Sequence, residues 1–174
     1  LPSQPPEDER EAKARAAGLA FVPLSGDIGV IGNGAGLVMS TIDHIAAAGG
    51  SAADFCDIGG GARAAAIVAA LEAVLAGPPV AAVLVNVFGG ITRGDEVARG
   101  LIEALTAAHV DLPVVVRLDG NAAEEGRAVL DQAALPGVTV AESAERAVEL
   151  VVAAARQASP GGAPATGAEQ AAPT

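Results

Sequence analysis

Between Leu19 and Ala158 one rhythm recurs: short apolar runs end in glycine and are followed by longer alanine-rich stretches. This is strand and helix in alternation, and few folds accept it. The runs Ala20–Leu24, Gly29–Ile31, Ala53–Ile58, Ala81–Phe88, Val114–Leu118 and Val138–Ala141 read as strands. Gly36–Ala48, Ala62–Ala76, Asp95–Ala108, Ala122–Ala134 and Ser143–Gln157 read as helices. Val83-Leu84-Val85 and Val114-Val115-Val116 are continuous rather than alternating, as strands covered on both faces must be. The expectation is an α/β fold: a doubly wound parallel sheet with helices on both faces and right-handed crossovers.

Composition narrows the partners. The chain has 174 residues, 51% of them hydrophobic, which suits one domain and is too apolar for a disordered polymer. No window reaches the ~18 uninterrupted apolar residues of a membrane-spanning helix, so no membrane partner is expected. Ten basic residues stand against 21 acidic ones, and the net charge of -11 repels a phosphate backbone, so no nucleic-acid partner is expected. The single cysteine, Cys56, excludes an intramolecular disulfide framework or a cysteine-based zinc site and fits a reducing compartment. No metal site is expected. Phe21, Phe55 and Phe88 are the only aromatic residues, too few for a base-stacking platform.

The ends differ from the middle. Residues 1–18 read as a linker or solvated helix: Leu1–Pro6 is weakly patterned, and Glu7–Ala17 carries four acids and three bases without a strong apolar stripe. Residues 19–158 form the domain, and 159–174, rich in Pro, Gly, Ala and Thr, reads as a disordered tail. The start at Leu1 shows neither an initiator Met nor a leader pattern and reads as a cut inside a longer polypeptide.

Four glycine-rich loops fall at carboxyl ends of strands: Gly32-Asn33-Gly34-Ala35-Gly36, Gly59-Gly60-Gly61, Gly89-Gly90-Ile91-Thr92-Arg93 and Gly120-Asn121. In an open α/β sheet these positions line the ligand crevice. Glycine there lets N–H groups approach an anion; equally, a strand-to-helix turn uses glycine for positive φ. The helix opened by Gly34, Ala35 and Gly36 is the best candidate for holding an anion, since no acid lies in its first turn and Asp43 comes two turns in. Nucleotide fingerprints fail. G-x-G-x-x-G would need glycine at Leu37 or Met39, and no G-K-[ST] occurs.

The stretches GDIGVIGNGAGLVMSTIDHIAAAGG, FCDIGGGA, AVLVNVFGGITRGDEVARGLI and LPVVVRLDGNAAEEG together resemble the carboxy-terminal CoA-ligase domain of the succinyl-CoA synthetase β subunit, from about Ser3 to about Ala155. The resemblance implies a flavodoxin-like fold and a place in an ADP- or GDP-forming acid–CoA ligase of the tricarboxylic acid cycle. In that reaction a nucleotide phosphorylates a histidine of the α subunit, the phosphoryl passes to a dicarboxylate, and CoA displaces it. It implies that Asn33 contacts the substrate, that Gly90, Ile91 and Thr92 form the substrate loop, and that no catalytic residue lies in this chain. Thr92 stands where some relatives carry valine, which bears on acid selectivity. Gly90 is expected to need positive φ and to leave room for the substrate. The α subunit and a small dicarboxylate are the implied partners; CoA, nucleotide and Mg belong to the complete enzyme, none to this domain. The family's ATP-grasp domain, which precedes this region, is missing, so the chain alone is expected to be inactive. A cytoplasmic location follows, or the mitochondrial matrix in a eukaryote. Malate–CoA ligase is the close alternative, and a non-enzymatic flavodoxin-like anion-binding or assembly module the more distant one.

Other polar residues have plainer readings. His44 and His109 are expected on the surface; His44 cannot face its neighbour Asp43, since adjacent helical residues point about 100° apart. Cys56 reads as a buried small hydrophobe. Asp57 either ligates a metal or ribose or caps the Ala62 helix. Arg93 forks a substrate carboxylate or pairs with Asp95 or Glu96. Arg117 and Asp119 share a strand face and should pair.

Overall fold

A computed structural model describes residues 8–158, so the disorder expected for Leu1–Pro6 and Ser159–Thr174 lies outside the described residues. Six strands and six helices follow in the order α1 (Glu9–Ala16), β1 (Ala20–Pro23), β2 (Ile28–Gly32), α2 (Ala35–Ala47), β3 (Asp54–Asp57), α3 (Ala64–Leu75), β4 (Ala82–Gly89), α4 (Gly94–Ala108), β5 (Val114–Gly120), α5 (Ala123–Ala133), β6 (Val138–Val140) and α6 (Ala144–Ala158). They form one sheet of strand order β1-β3-β2-β4-β5-β6. Setting β1 aside, the five parallel strands have the flavodoxin order 2-1-3-4-5.

The sheet is not wholly parallel, which corrects the expectation for Ala20–Leu24. β1 pairs antiparallel with β3, Phe21 opposite Cys56. Its physical cause is the short link of four residues, Leu24–Asp27, before β2: a parallel neighbour needs a long crossover. At the edge, β1 alternates exposed Ala20 and Val22 with buried Phe21, and Pro23 needs no ladder partner on the open side.

Two layers of apolar side chains cover the sheet. α2 and α6 close one face over Ile28, Val30, Leu84 and Val115. α1, α3, α4 and α5 close the other over Ile31, Val83, Val85, Val116 and Leu118. β2 is buried along its whole length and β4 everywhere but Phe88. Each such aliphatic side chain contributes about 1.5–3 kcal/mol by leaving water, an upper bound for a chain that is already partly compact when unfolded.

The helix expected near Glu7–Ala17 forms; most of it is exposed, and one face docks on the domain. Asp8 caps it by accepting from the Arg10 N–H (2.8 Å), Ala14 is buried against the sheet, and the Arg10 guanidinium lies 5.4 Å from the centre of the Phe21 ring. One alanine and the stem of an arginine make this contact, so no apolar stripe was visible.

Candidate functional site

The switch in strand order falls between β2 and β4, and at their carboxyl ends the four glycine-rich loops meet. Gly32 ends β2 where an added Cβ would lie 2.9 Å from Val38 Cγ2 and 3.0 Å from the Asn86 carbonyl, so glycine lets α2 begin directly on the sheet. The next residue, Asn33, reaches across to β4. Its Oδ1 accepts from the Phe88 N–H (2.9 Å), and its Nδ2 donates to the Phe88 carbonyl (2.7 Å) and, at 3.4 Å, to Thr92 Oγ1. A carboxamide thus continues the β2–β4 ladder by one step.

The second loop is tied in by Asp57. Its Oδ1 accepts from the Gly34 N–H (2.6 Å) and the Gly59 N–H (2.8 Å). Asp57 therefore does not cap α3, whose N-cap Arg63 makes no side-chain cap hydrogen bond; among the described residues no group of three metal-ligating side chains occurs. Thr92, buried, accepts from the Gly61 N–H (3.0 Å) through the same oxygen that faces Asn33. Its hydroxyl points into the network of loops. The fourth loop packs backbone to backbone: the Asn121 N–H donates to the Gly89 carbonyl (3.0 Å), and Gly120, at φ +82°, passes so close that a Cβ would strike that carbonyl.

What faces outward is backbone. The Gly34 N–H, expected to meet an anion, is engaged by Asp57. Ala35, Gly36 and Leu37 remain as first-turn donors with no carbonyl one turn back inside the helix, and no acid lies in that turn. The Gly90 and Ile91 N–H groups make no hydrogen bond among the described residues. Gly90 has ordinary φ and open space where a Cβ would stand, which corrects the expectation that positive φ demands glycine there. Gly36 and Gly60 share both properties. Ile91 is 85% exposed.

The remaining polar residues mostly take their plain readings. Arg93 Nε donates to Asp95 Oδ1 (3.0 Å), and that pairing, with Arg99 beside it, holds the Asp95 carboxyl below its ordinary value. Arg117 pairs with Asp119 (2.6 Å). His44 is exposed on α2; His109 ends α4 at the opposite edge of the sheet from the loops. Burial pushes the Cys56 thiol far above its ordinary range, so it is no nucleophile. A polar chain on the α2 side had no sequence signal: buried Asn86 donates to Thr41 Oγ1 (2.9 Å), and Arg117 donates to Asn86 Oδ1 (3.3 Å) while lying 5.9 Å from the Phe88 ring. Burial also raises Asp54, whose Oδ1 accepts from the Val30 N–H (3.2 Å), to about 7.

The family profile described as CoA-ligase matches residues 31–154. The chain is 55% identical over 147 residues to the β subunit of succinate–CoA ligase [ADP-forming] from Rubrobacter xylanophilus, a match covering 82% of this chain and 38% of that protein. To the corresponding subunit β 2 from Streptomyces coelicolor it is 53% identical over 151 residues, covering 84% and 39%. The chain thus spans under two fifths of the length of these relatives. In fold it is similar to ATP citrate lyase from Methanothrix soehngenii in complex with citrate and coenzyme A, with a TM-score of 0.69 at 18% identity, covering 86% of this chain and 43% of that one.

Proposed function

The chain belongs to the CoA-ligase family, and from that premise we propose that it is the part of an acid–CoA ligase β subunit that holds the carboxylic acid, in a site completed by an α subunit. One observation carries this reading: Asn33 locks the turn that opens α2 to the loop that follows β4. Two sets of backbone donors without partners among the described residues, Ala35 and Gly36 on one side and Gly90 and Ile91 on the other, are in this reading the groups that hold the acid. Such fixed donors stabilise an oxyanion without mobile cations, by up to about 2 kcal/mol for a helix terminus in favourable geometry.

In the ligase reaction a histidine-bound phosphoryl group passes to the substrate carboxylate, and the CoA thiol then displaces phosphate from the acyl phosphate. Charge builds on oxygen in both steps, where amide donors are useful. Neither His44 nor His109 lies at the crevice, so in this reading the phosphorylated histidine is supplied from outside this chain, by the α subunit. Gly36, Gly60 and Gly90 support close approach by that partner, since neither φ nor packing inside the domain requires glycine at these exposed positions. Asn33 is then a positioning residue as much as a ligand. The acid is succinate in this reading, after the succinate–CoA ligase subunits that the chain resembles.

The test is a partial reaction. An α subunit phosphorylated chemically on its histidine, mixed with this 174-residue chain, should release phosphate only when both succinate and CoA are added. ATP with unphosphorylated α subunit should give no turnover, because no nucleotide-binding motif is present. Phosphate release that ignores the chain, or ATP-driven succinyl-CoA formation by the chain alone, would refute the division of labour.

A further inference from the structure

In a chain with 21 acids and ten bases, arginines find partners easily. Arg10 pairs with Asp8, Arg93 and Arg99 share Asp95, Arg117 pairs with Asp119, and Arg146 pairs with Glu149. Arg127 and Arg156 donate to the carbonyls of Leu118 and Ala48, and Arg15 is engaged as well. Arg63 alone among the described arginines has a side chain that makes no hydrogen bond or ion pair.

Its position is not that of a stray surface charge. Arg63 lines a pocket of about 220 Å³ together with Gly61, Ala62, Ile91, Arg93 and Glu96. Arg93 uses only its Nε on Asp95, which leaves both of its terminal amino groups without a partner. Among the charged groups at and beside the pocket, Arg93 and Arg99 engage Asp95, Arg99 also approaches Glu96, and Glu125 acts on Arg93 from further off. Asp95 is shared by Arg93 and Arg99 and Glu96 is drawn towards Arg99 (3.5 Å), so the Arg63 side chain is left without a counter-charge partner and Arg93 keeps two free terminal donors. Guanidinium groups keep that charge at every accessible pH.

We propose that this pocket binds a phosphate group, free or at the end of a phosphate monoester. The tetrahedral oxygens of phosphate accept from the free Arg63 guanidinium and from the terminal amino groups of Arg93 at once, where a carboxylate satisfies one fork. The pocket adjoins the crevice across Thr92, whose Oγ1 accepts from the Gly61 N–H on one side and faces Asn33 on the other. A phosphate held by Arg63 and Arg93 therefore lies against the loop that carries Gly90 and Ile91. This goes beyond the acid-holding role proposed above and rests on it only for the presence of phosphate in the reaction.

Titration of the nitrogen-15-labelled 174-residue chain with inorganic phosphate, at constant ionic strength set by chloride, tests the assignment by NMR. The Nε–Hε signals of Arg63 and Arg93 and the amides of Gly61 and Ile91 should shift together and saturate. Arg63→Gln, an exposed change that leaves the amide spectrum otherwise folded, should weaken phosphate binding about tenfold or more, and Arg63→Lys should lose less. Arg146→Gln, at an exposed pair with Glu149 on α6, should leave the phosphate affinity of this pocket within twofold. The proposal is overturned if Arg63→Gln binds as tightly as the parent chain, if chloride alone produces the same shifts, or if succinate binds there as well as phosphate. Shifts confined to Asn33 and the first turn of α2 would also overturn it, while leaving the acid-holding reading intact.

Discussion

The side chain of Asn33 and the backbone of Phe88, 55 positions apart, form a reciprocal pair of hydrogen bonds of 2.7 and 2.9 Å. Through it the turn opening α2 and the loop following β4 behave as one unit. Asn33→Ala removes both bonds at a half-exposed position, where water recovers part of the loss, and should lower stability by about 1–2 kcal/mol in urea denaturation. In the assembled ligase, kcat/KM for the carboxylic acid should fall about ten- to a hundredfold, with far less effect on histidine phosphorylation by nucleotide. Equal losses in both steps would mean that Asn33 supports the fold only.

Gly90→Val separates internal from external demands on the substrate loop. Open space and ordinary φ at Gly90 predict that the variant chain melts within about 0.5 kcal/mol of the parent. The assembled enzyme should nevertheless lose most of its acid-dependent rate, because a branched side chain would stand where substrate or partner approaches. Unchanged kinetics would remove Gly90 from the site.

Asp54 should set part of the pH dependence of stability. Burial, the largest influence, raises its carboxyl to about 7, against the opposing Val30 N–H and the charge of Arg10. The folded chain therefore holds the proton more tightly than the unfolded chain, whose carboxyl titrates near ~4. Its contribution is most favourable below pH ~4, declines as pH rises towards about 7, and is constant above that. Asp54→Asn should remove this decline, a difference on the order of 4 kcal/mol between pH 4 and 8 when the two denaturation profiles are subtracted. Parallel profiles would show that Asp54 is ionised in the folded state.

Much of this molecule is legible in its residues because β4 and β5 open on the apolar runs Ala82–Val85 and Val114–Val116, β2 is apolar throughout, and all three end in glycine. The direction of β1 is not, since four linking residues bear on topology only once β3 is in place. The docking of α1 rests on Ala14 and the stem of Arg10, neither of which reads as apolar patterning. The glycine loops announced the crevice, but the partner of each polar group did not follow from spacing. Asp57 meets the Gly34 N–H 23 positions earlier, and Arg63 meets no acid, because strand order decides which loop ends are neighbours.

The position of the carboxylic acid itself is the most direct measure. Crystals of this chain with its α subunit, grown in succinate, should show a carboxylate within hydrogen-bond distance of the first-turn amides of α2 and the amides of Gly90 and Ile91. Succinate lodged elsewhere in the complex, with both loops turned away from it, would contradict the account.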